Sequence, residues 1–361
     1  MSFSRRELLK ASLSLGLGAV ALPAVSRTSF QPGPGPQTLQ REPTMTVNVV
    51  RYEHQARIHW GVIREDRVTP VPGEYPTTGD FIRAHSVTSL QGLGGDSLDR
   101  ASLRLLSPVT GNQQFVCQGA NYRQHMIESG MNPDVKTFNM IFTKASSCIV
   151  PADSDVVRPR VVQFLDYEIE LGLVLRKAIR GPVQVTDANL HEYVAGVVIV
   201  NDYSARDVQI PQMQFYKGKS FRTFGPVGPH LTLLDAGSIG QLRQLQLRLS
   251  VNGEVRQQDS TANLVYGPAE TLTELSGVQD LEPGDLLATG TPAGCALSIP
   301  SPAKQKIGAL LPEKKKWEIF MKVQAGRSQY LKPGDVVEAS IRSADGRVDL
   351  GLQRNRIVAG A

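Results

Sequence analysis

The sequence predicts an α+β fold that is mainly β, with few helices and a small N-terminal β-rich lobe. Glycine (33 residues) and proline (23 residues) are both abundant in the 361-residue chain, while aromatic residues make up only 6%. This balance favours many short strands joined by turns over a helical bundle. Apolar residues make up 41% and charged residues 20%, so disorder, collagen and coiled coil are excluded for most of the chain.

The N-terminal lobe is predicted at residues 47–110. It contains candidate strands at 47–50, 58–63 and 68–71 and a candidate helix at 81–90. The composition then shifts, and we assign residues 111–361 to a larger domain. Its predicted elements are strands at 115–117, 156–162, 167–175, 196–200, 231–234 and 245–251, a polar segment at 123–130, an irregular stretch at 131–147, and a helix at 187–195 capped by Thr186.

Turn motifs recur along the larger domain. Asn252-Gly253 is typical of a two-residue hairpin turn. Residues 281–285 and 331–335 repeat the pattern Leu-x-Pro-Gly-Asp, and each precedes an apolar strand. Residues 295–330 have the character of an insertion, and their basic patch at 314–316 indicates a solvated loop or helix face rather than a nucleic-acid site.

The first 26 residues predict an export signal of the twin-arginine type. Arg5-Arg6 precede a short apolar run at 11–24 with small residues near its end, so cleavage after Ala21 or Ser26 is expected. The alternative is a membrane anchor, but the run is shorter than the ~20 residues of a typical span. Residues 27–46 are rich in proline and glycine and predict a linker. We therefore expect a periplasmic protein with no stable membrane anchor.

Charge and cysteine content exclude two classes of site. The formal net charge is +5, and residues 1–26 account for +2 of it, which leaves +3 for the remaining chain and no basic stripe for nucleic acid. The three cysteines, Cys117, Cys148 and Cys295, are far apart in sequence. They allow at most one disulfide and no cysteine-rich zinc site.

Three carboxylates form a candidate metal site. Glu168 and Glu170 are two apart on a predicted strand, so both project from one face. Asp202 follows the apolar strand 196–200 and could complete the set. Hard oxygen ligands without a nearby histidine or cysteine favour Mg²⁺, Mn²⁺ or Ca²⁺. Asp207 could replace Asp202 as a ligand, or it could pair with Arg206.

Two further groups have catalytic chemistry. Lys219 lies in a Gly-Lys-Ser sequence that lacks the upstream glycines of a phosphate loop, and near an acidic metal site a lysine can bind a carboxylate or enolate oxygen. His125 and Glu128 are three apart, so in a helix they share one face. Glu128 could then orient His125 as a base.

Five motifs occur in a fixed order along the chain: residues 119–122 followed by His125 and Glu128, and residues 166–171, 201–209, 218–221 and 288–294. Together they resemble the fumarylacetoacetate hydrolase family, in its bacterial acylpyruvase and isomerase branch.

The resemblance implies a rolled mixed β-sheet and a homodimer. It implies that Glu168, Glu170 and Asp202 hold Mg²⁺, Mn²⁺ or Ca²⁺. It also implies a His125–Glu128 dyad on a mobile lid, with Lys219, Gln209 and Thr291 at the substrate. We expect Tyr122, Arg123 and Arg222 to contact substrate as well.

Three departures from the family pattern concern the substrate more than the fold. Arg222 stands where relatives often carry a small or acidic residue, which predicts a pocket that accepts more negative charge. Cys295 replaces a usual aliphatic residue. The segment 295–330 is longer than the family's version.

The implied activity is hydrolysis of a C–C bond in a 2-oxo acid or 1,3-dicarbonyl compound. His125 would deprotonate water for attack on the distal carbonyl, and the metal and Lys219 would stabilise the enolate that leaves. The alternatives are a 2-oxo acid decarboxylase or an isomerase or hydratase on the same site. A non-catalytic periplasmic binding protein is the alternative from another class.

Replacing both Arg5 and Arg6 by lysine should leave the unprocessed precursor in the cytoplasm, because the twin arginines identify the signal. Cell fractionation and the mass of the N-terminus measure this. Lys10→Arg is the control that keeps the pair and should still be exported. Normal processing of the double variant would show that the signal is misassigned.

Overall fold

The computed structural model describes residues 45–300, 308 and 310–360. All of them fall within a unit formed by residues 41–361. The predicted export signal lies outside the described residues, as does the predicted linker except for residues 45 and 46.

Short strands provide most of the regular structure in the described residues. In chain order they are β1 (Thr46–His54), β2 (Arg57–Arg64), β3 (Arg67–Pro70), β4 (Leu98–Asp99), β5 (Arg104–Leu106), β6 (Phe115–Gly119), β7 (Met140–Lys144), β8 (Ile149–Val150), β9 (Val156–Arg158), β10 (Leu165–Asp166), β11 (Ile169–Leu175), β12 (Val194–Asn201), β13 (Ser204–Ala205), β14 (Gly225–Pro226), β15 (Leu231–Leu234), β16 (Leu245–Val251), β17 (Glu254–Ser260), β18 (Leu286–Ala288), β19 (Val336–Ser343) and β20 (Asp349–Ala359).

The helices are short by comparison. They are α1 (Thr78–Ala84), α2 (Val87–Gln91), α3 (Arg123–Glu128), α4 (Leu190–Tyr193), α5 (Arg206–Gln212), α6 (Phe215–Lys219), α7 (Pro268–Ser276) and α8 (Glu313–Ala325). Among the described residues, no helix is both long enough and apolar enough to cross a membrane.

Two sheets organise the chain. The larger has eleven strands in the order β4-β3-β2-β1-β15-β12-β11-β18-β6-β7, with β5 also paired to β1. Most pairs are antiparallel, but β18 and β6 run parallel. The smaller has the order β17-β16-β19-β20-β9. The prediction of a mainly β fold with mixed sheets and few helices is confirmed.

The central strands β11 and β12 are buried along their whole length. Leu171 and Ile199 pack in one hydrophobic cluster, whereas Val174 and Val198 pack in another on the opposite face. A strand covered on both faces is an almost continuous apolar run. The sequences of β11 and β12 have this character, and they form the centre of the fold.

The predicted turns are present. Asn252 and Gly253 both have positive φ and join β16 to β17, as a type I′ hairpin requires. In the repeated Leu-x-Pro-Gly-Asp pattern, Asp285 accepts a hydrogen bond from the Glu282 N–H at 2.8 Å, and Asp335 accepts one from the Lys332 N–H at 2.7 Å. Each aspartate thus closes its own turn before a strand.

Four predicted elements differ from the structure. The helix expected at 81–90 is two helices, α1 and α2, because Ser86 caps a new start by accepting from the Ser89 N–H. The helix expected at 187–195 shortens to α4, because the Asn189 side chain accepts from the Thr186 N–H instead of Thr186 capping.

The strand expected at 156–162 ends with β9, before Pro159, which has no N–H to donate. The stretch 131–147, expected to be irregular, contains β7.

The N-terminal segment joins the large sheet through β1, which pairs with β15. Val50, Tyr52 and Val68 form a small hydrophobic cluster of their own beside this junction. The boundary at residue 110 stays a prediction.

Gly196→Ala should lower the free energy of unfolding by about 1–3 kcal/mol through overpacking. A Cβ at Gly196 would lie 2.3 Å from the Thr232 carbonyl oxygen, which belongs to the backbone of the neighbouring strand. Urea unfolding measures the change. Gly240→Ala is the matched control, because a Cβ there meets nothing within 4 Å. Equal stability of the two variants would contradict this account.

Candidate active site

Strand pairing brings the three predicted carboxylates together. β11 and β12 are antiparallel, with Ile169 opposite Asn201, so the start of one strand lies beside the end of the other. The Asp202 N–H extends this ladder by donating to the Glu168 carbonyl at 2.8 Å. As a result, carboxylate oxygens of Glu168, Glu170 and Asp202 all lie within 4.8 Å of one another.

Two buried lysines neutralise Asp202. Lys219 donates to Asp202 Oδ2 at 2.5 Å, to Ser204 Oγ at 2.8 Å and to Glu168 Oε2. Lys144, at the end of β7, donates to Asp202 Oδ1 at 2.5 Å and to the Phe224 carbonyl at 2.7 Å. Burial alone would lower the pKa of Lys219, but the charges of Asp202 and Glu168 outweigh it and raise that pKa.

Arg206 holds the other side of Glu168. Its guanidinium donates to Asp166 Oδ2 at 2.8 Å, to Gln209 Oε1 at 2.8 Å and to Glu168 Oε1. Burial alone would raise the pKa of Glu168, but Arg206 and Lys219 reverse this and hold it below the usual range. Glu168 therefore stays ionised, with its two oxygens facing different cations.

Glu170 is the exception in this cluster. Within the described chain it accepts a single hydrogen bond, from the Gly290 N–H at 2.8 Å. Burial, followed by the charges of Asp202 and Glu168, raises its pKa well above the usual value. Because four buried carboxylates, including Asp166, face three buried cationic side chains in the part of the chain that the structure describes, one negative charge there lacks a partner.

This donor set fits a divalent cation. The three carboxylates offer hard oxygen ligands. A bound cation would also supply the positive charge that Glu170 lacks as a partner. Lys219 contacts two of the same carboxylates, so a cation and the lysine ammonium would compete for these oxygens.

Glu168 and Glu170 line a cavity of about 230 Å³, and Asp202 lies behind them, fully buried. The polar lining of the cavity includes His125, Glu128, Gln209, Lys219, Thr291 and Cys295, and its apolar lining includes Met131, Met140, Phe142, Ile210 and Phe215.

His125 and Glu128 reach this cavity from α3, which follows β6. Burial lowers the pKa of His125, although the Glu168 charge opposes this, so the imidazole is neutral near pH 7 and able to accept a proton. Among the described residues no hydrogen bond joins His125 to Glu128. The two side chains share the cavity without forming a closed dyad.

Of the expected substrate contacts, Gln209 and Thr291 line the cavity. Thr291 Oγ1 accepts from the Gln257 side chain at 2.8 Å. The structure does not bring the other three there. Tyr122 is fully buried in the core, Arg123 is exposed and pairs with Asp134, and Arg222 is exposed.

The expected alternatives for Asp207 are both wrong. Its carboxylate accepts from the backbone N–H of Gln163 at 2.7 Å and of Phe164 at 3.4 Å, so it is neither a ligand beside Glu168 nor the partner of Arg206. Arg206 pairs with Asp166 and Glu168 instead.

Sequence reasoning missed three residues that build the site. Asp166 is two residues before Glu168, so the same period-two spacing could have placed it on the shared face. It accepts from Arg206 and from the Ala296 N–H at 2.7 Å. No local signal marks Arg206 as its partner. Lys144 was not predicted as a site residue, because the stretch 131–147 was expected to be irregular and not to contain β7.

Comparison with known proteins assigns the family. The profile described as Fumarylacetoacetate (FAA) hydrolase C-terminal matches residues 114–358. The chain belongs to the fumarylacetoacetate hydrolase family. Oxaloacetate tautomerase YisK from Bacillus subtilis is 35% identical over 213 residues, 58% of this chain and 69% of that protein. Mitochondrial oxaloacetate tautomerase FAHD2A from Bos taurus is 33% identical over 270 residues, 74% of this chain and 76% of that protein.

Solved structures agree with this family assignment. Fumarylacetoacetate hydrolase from psychrophilic Exiguobacterium antarcticum has a TM-score of 0.64 at 28% identity, with 87% of this chain and 100% of that chain covered. 2-Hydroxyhepta-2,4-diene-1,7-dioate isomerase from Mycobacterium marinum has a TM-score of 0.63 at 24% identity, with 87% of this chain and 99% of that chain covered. At this identity the similarity shows a shared fold only.

Asp202→Ala and Glu170→Ala should each lose most binding of Mg²⁺ or Mn²⁺, because each removes an oxygen ligand from the cluster. Isothermal titration measures the affinity. Asp207→Asn is the control, since its carboxylate binds backbone N–H groups elsewhere and the variant should bind metal normally. If both cluster variants bound Mg²⁺ and Mn²⁺ with unchanged affinity, the assignment of the ligands would be wrong.

Proposed function

We propose that this chain is a divalent-metal-dependent enzyme that forms and protonates the enolate of a small 2-oxo acid, as an oxaloacetate tautomerase does. The observation that carries the proposal is the carboxylate cluster with one negative charge in excess, two members of which, Glu168 and Glu170, line a cavity together with His125 and Lys219. The names of the relatives from Bacillus subtilis and Bos taurus support the same reaction.

Glu168, Glu170 and Asp202 would hold Mg²⁺, Mn²⁺ or Ca²⁺. When bound, such an ion supplies a Lewis acid that polarises the carbonyl and carboxylate oxygens of a 2-oxo acid.

The chain's own residues would move the proton. The neutral imidazole of His125 takes a proton from the carbon beside the ketone and returns it to the enolate oxygen or to the same carbon. Lys219 lines the cavity, and the charges of Asp202 and Glu168 raise its pKa, so the lysine is cationic near pH 7 and stabilises negative charge on the enolate oxygen. Arg206 fixes the Gln209 oxygen by a hydrogen bond, which leaves the Gln209 amide N–H₂ free to orient the substrate carboxylate.

The size of the cavity favours a small substrate. Its volume of about 230 Å³ is below the ~300–1,000 Å³ of pockets that bind drug-sized ligands. A four-carbon 2-oxo dicarboxylic acid suits this volume better than a long acyl chain.

Hydrolysis of a C–C bond in an acylpyruvate or a fumarylacetoacetate-like compound is the second candidate. Both His125 and Glu128 line the cavity, as water activation by a dyad requires, and a solved relative is a fumarylacetoacetate hydrolase. It ranks second because the described structure contains no hydrogen bond between the two side chains. A 2-oxo acid decarboxylase would use the same enolate, whereas a binding protein would not need His125.

Two further expectations remain proposals. The leading 26 residues support export to the periplasm, and the family resemblance supports a homodimer.

His125→Ala should lower oxaloacetate tautomerisation by ~10²–10⁴-fold, the usual contribution of a positioned general base. The measurement is the change in ultraviolet absorbance as enol oxaloacetate becomes the keto form, with Mg²⁺ or Mn²⁺ present. His191→Ala is the matched control, because His191 lies on α4 outside this cavity. The affinity for Mg²⁺ or Mn²⁺ should survive in both variants.

An assay with acylpyruvates separates the tautomerase from the hydrolase, with Glu128→Gln as an additional variant. If wild type cleaves an acylpyruvate and Glu128→Gln cleaves it more slowly, hydrolysis is established. If wild type tautomerises oxaloacetate but cleaves no acylpyruvate, hydrolysis is excluded. A wild type that accelerates neither reaction with any of the three metals would refute the proposed function.

A further inference from the structure

Cys295 presents a thiol to the cavity, beside the carboxylate cluster. It follows Gly294, whose φ of +103° and close approach to the Arg256 carbonyl exclude any side chain there. Tyr167 donates a hydrogen bond to the Gly294 carbonyl at 3.1 Å. The backbone that carries the thiol is therefore held in place from two sides.

The thiol is one member of a second ligand group. Its Sγ lies 3.8 Å from Glu168 Oε1, and ligand atoms of His125, Glu168 and Cys295 all lie within 4.8 Å of one another. They come from separate parts of the chain: α3, the residue before β11, and the loop after β18. The group therefore depends on the tertiary fold.

The chemistry of this group differs from that of the carboxylate cluster. Sulfur and imidazole ligands select zinc-like ions, whereas Mg²⁺ and Ca²⁺ prefer oxygen. One cysteine, one histidine and one carboxylate, with a fourth position open to the cavity, match the three-protein-ligand pattern of accessible zinc sites.

The distances are compatible with one ion. Zn–S bonds of about 2.3 Å and Zn–N or Zn–O bonds of about 2.0–2.2 Å hold any two ligand atoms less than ~4.5 Å apart. A separation of up to 4.8 Å needs only a small shift. His125 can supply it, because it is half-buried on a six-residue helix of which Met126 is the buried residue.

We propose that His125, Glu168 and Cys295 form a second cation site that is selective for Zn²⁺ and related thiophilic ions, and that its occupation inhibits the enzyme. On binding, the sulfur–metal bond replaces the S–H bond and the proton leaves to solvent. The site stands on its own geometry, but the inhibition rests on the proposed function, since the bound ion would occupy the lone pair that His125 uses as a base.

The shared residue Glu168 couples the two sites. Its Oε2 faces Lys219 and Ser204, while its Oε1 faces Arg206 and Cys295. An ion at the second site would draw Oε1 away from the Arg206 guanidinium. Because that guanidinium repels a cation, we expect His125 and Cys295 to be the stronger ligands.

The test uses Cd²⁺ as the probe, added to full-length protein that is saturated with Mg²⁺. We expect an ultraviolet thiolate-to-cadmium charge-transfer band that saturates at a stoichiometric amount of Cd²⁺ and disappears in Cys295→Ser. Cys148→Ser is the matched control, because Cys148 is also a buried free thiol but belongs to the hydrophobic core, and it should keep the band.

His125→Ala tests the second ligand without changing a thiol. It should keep the band but bind Cd²⁺ at least ~10-fold more weakly, since even indirect partners of a metal ligand contribute that much. Glu170→Ala should lose Mg²⁺ binding but keep the band. The assignment of the site would be wrong if wild type showed no band. It would also be wrong if Cys295→Ser kept the band, or if the band were lost in Cys117→Ser instead.

Inhibition is read as each protein's rate with Zn²⁺ relative to its own zinc-free rate in the tautomerase assay. We expect Zn²⁺ to inhibit wild type and Cys148→Ser, and to inhibit Cys295→Ser at least ~10-fold less strongly. A normal Cd²⁺ band without inhibition would refute the inhibitory role and the assignment of His125 as base, while leaving the site itself in place.

Discussion

The burial of four carboxylates beside three cationic side chains is the constraint on which the site depends. Removing an ion pair from water costs free energy that is recovered only when every partner is well placed. Asp202 meets two lysines and Glu168 meets a lysine and an arginine, so their charges are compensated. Within the described residues, Glu170 is left without such a partner. This imbalance supports the proposal that the cluster binds a cation.

The local pattern of the sequence is enough to predict part of this arrangement. The period-two spacing of Glu168 and Glu170 places both carboxylates on one face, and Asp202 directly follows an apolar strand, a position from which it could join them. The mainly β fold follows from the abundance of turn residues, and the Asn252-Gly253 hairpin follows from turn chemistry. These features depend on residues close together in the chain.

The rest depends on contacts between distant residues. Lys144 meets Asp202 only because β7 joins the edge of the large sheet, 58 positions away in sequence. Tyr122 belongs to a matching motif but packs in the core. A motif gives a residue's type and order, whereas its orientation is fixed by tertiary packing.

The strand ends that carry the carboxylates are more deeply buried than α3, which carries His125 and Glu128. The carboxylates stand at the ends of β11 and β12, which are buried on both faces, so a one-residue slip in register would turn side chains that fit one hydrophobic cluster toward the other. His125 and Glu128 instead come from a short helix with little buried surface. Substitutions in α3 can therefore change which groups face the substrate while the carboxylates stay in position. The strand ends would then act as the constant part of the cavity and α3 as its variable wall.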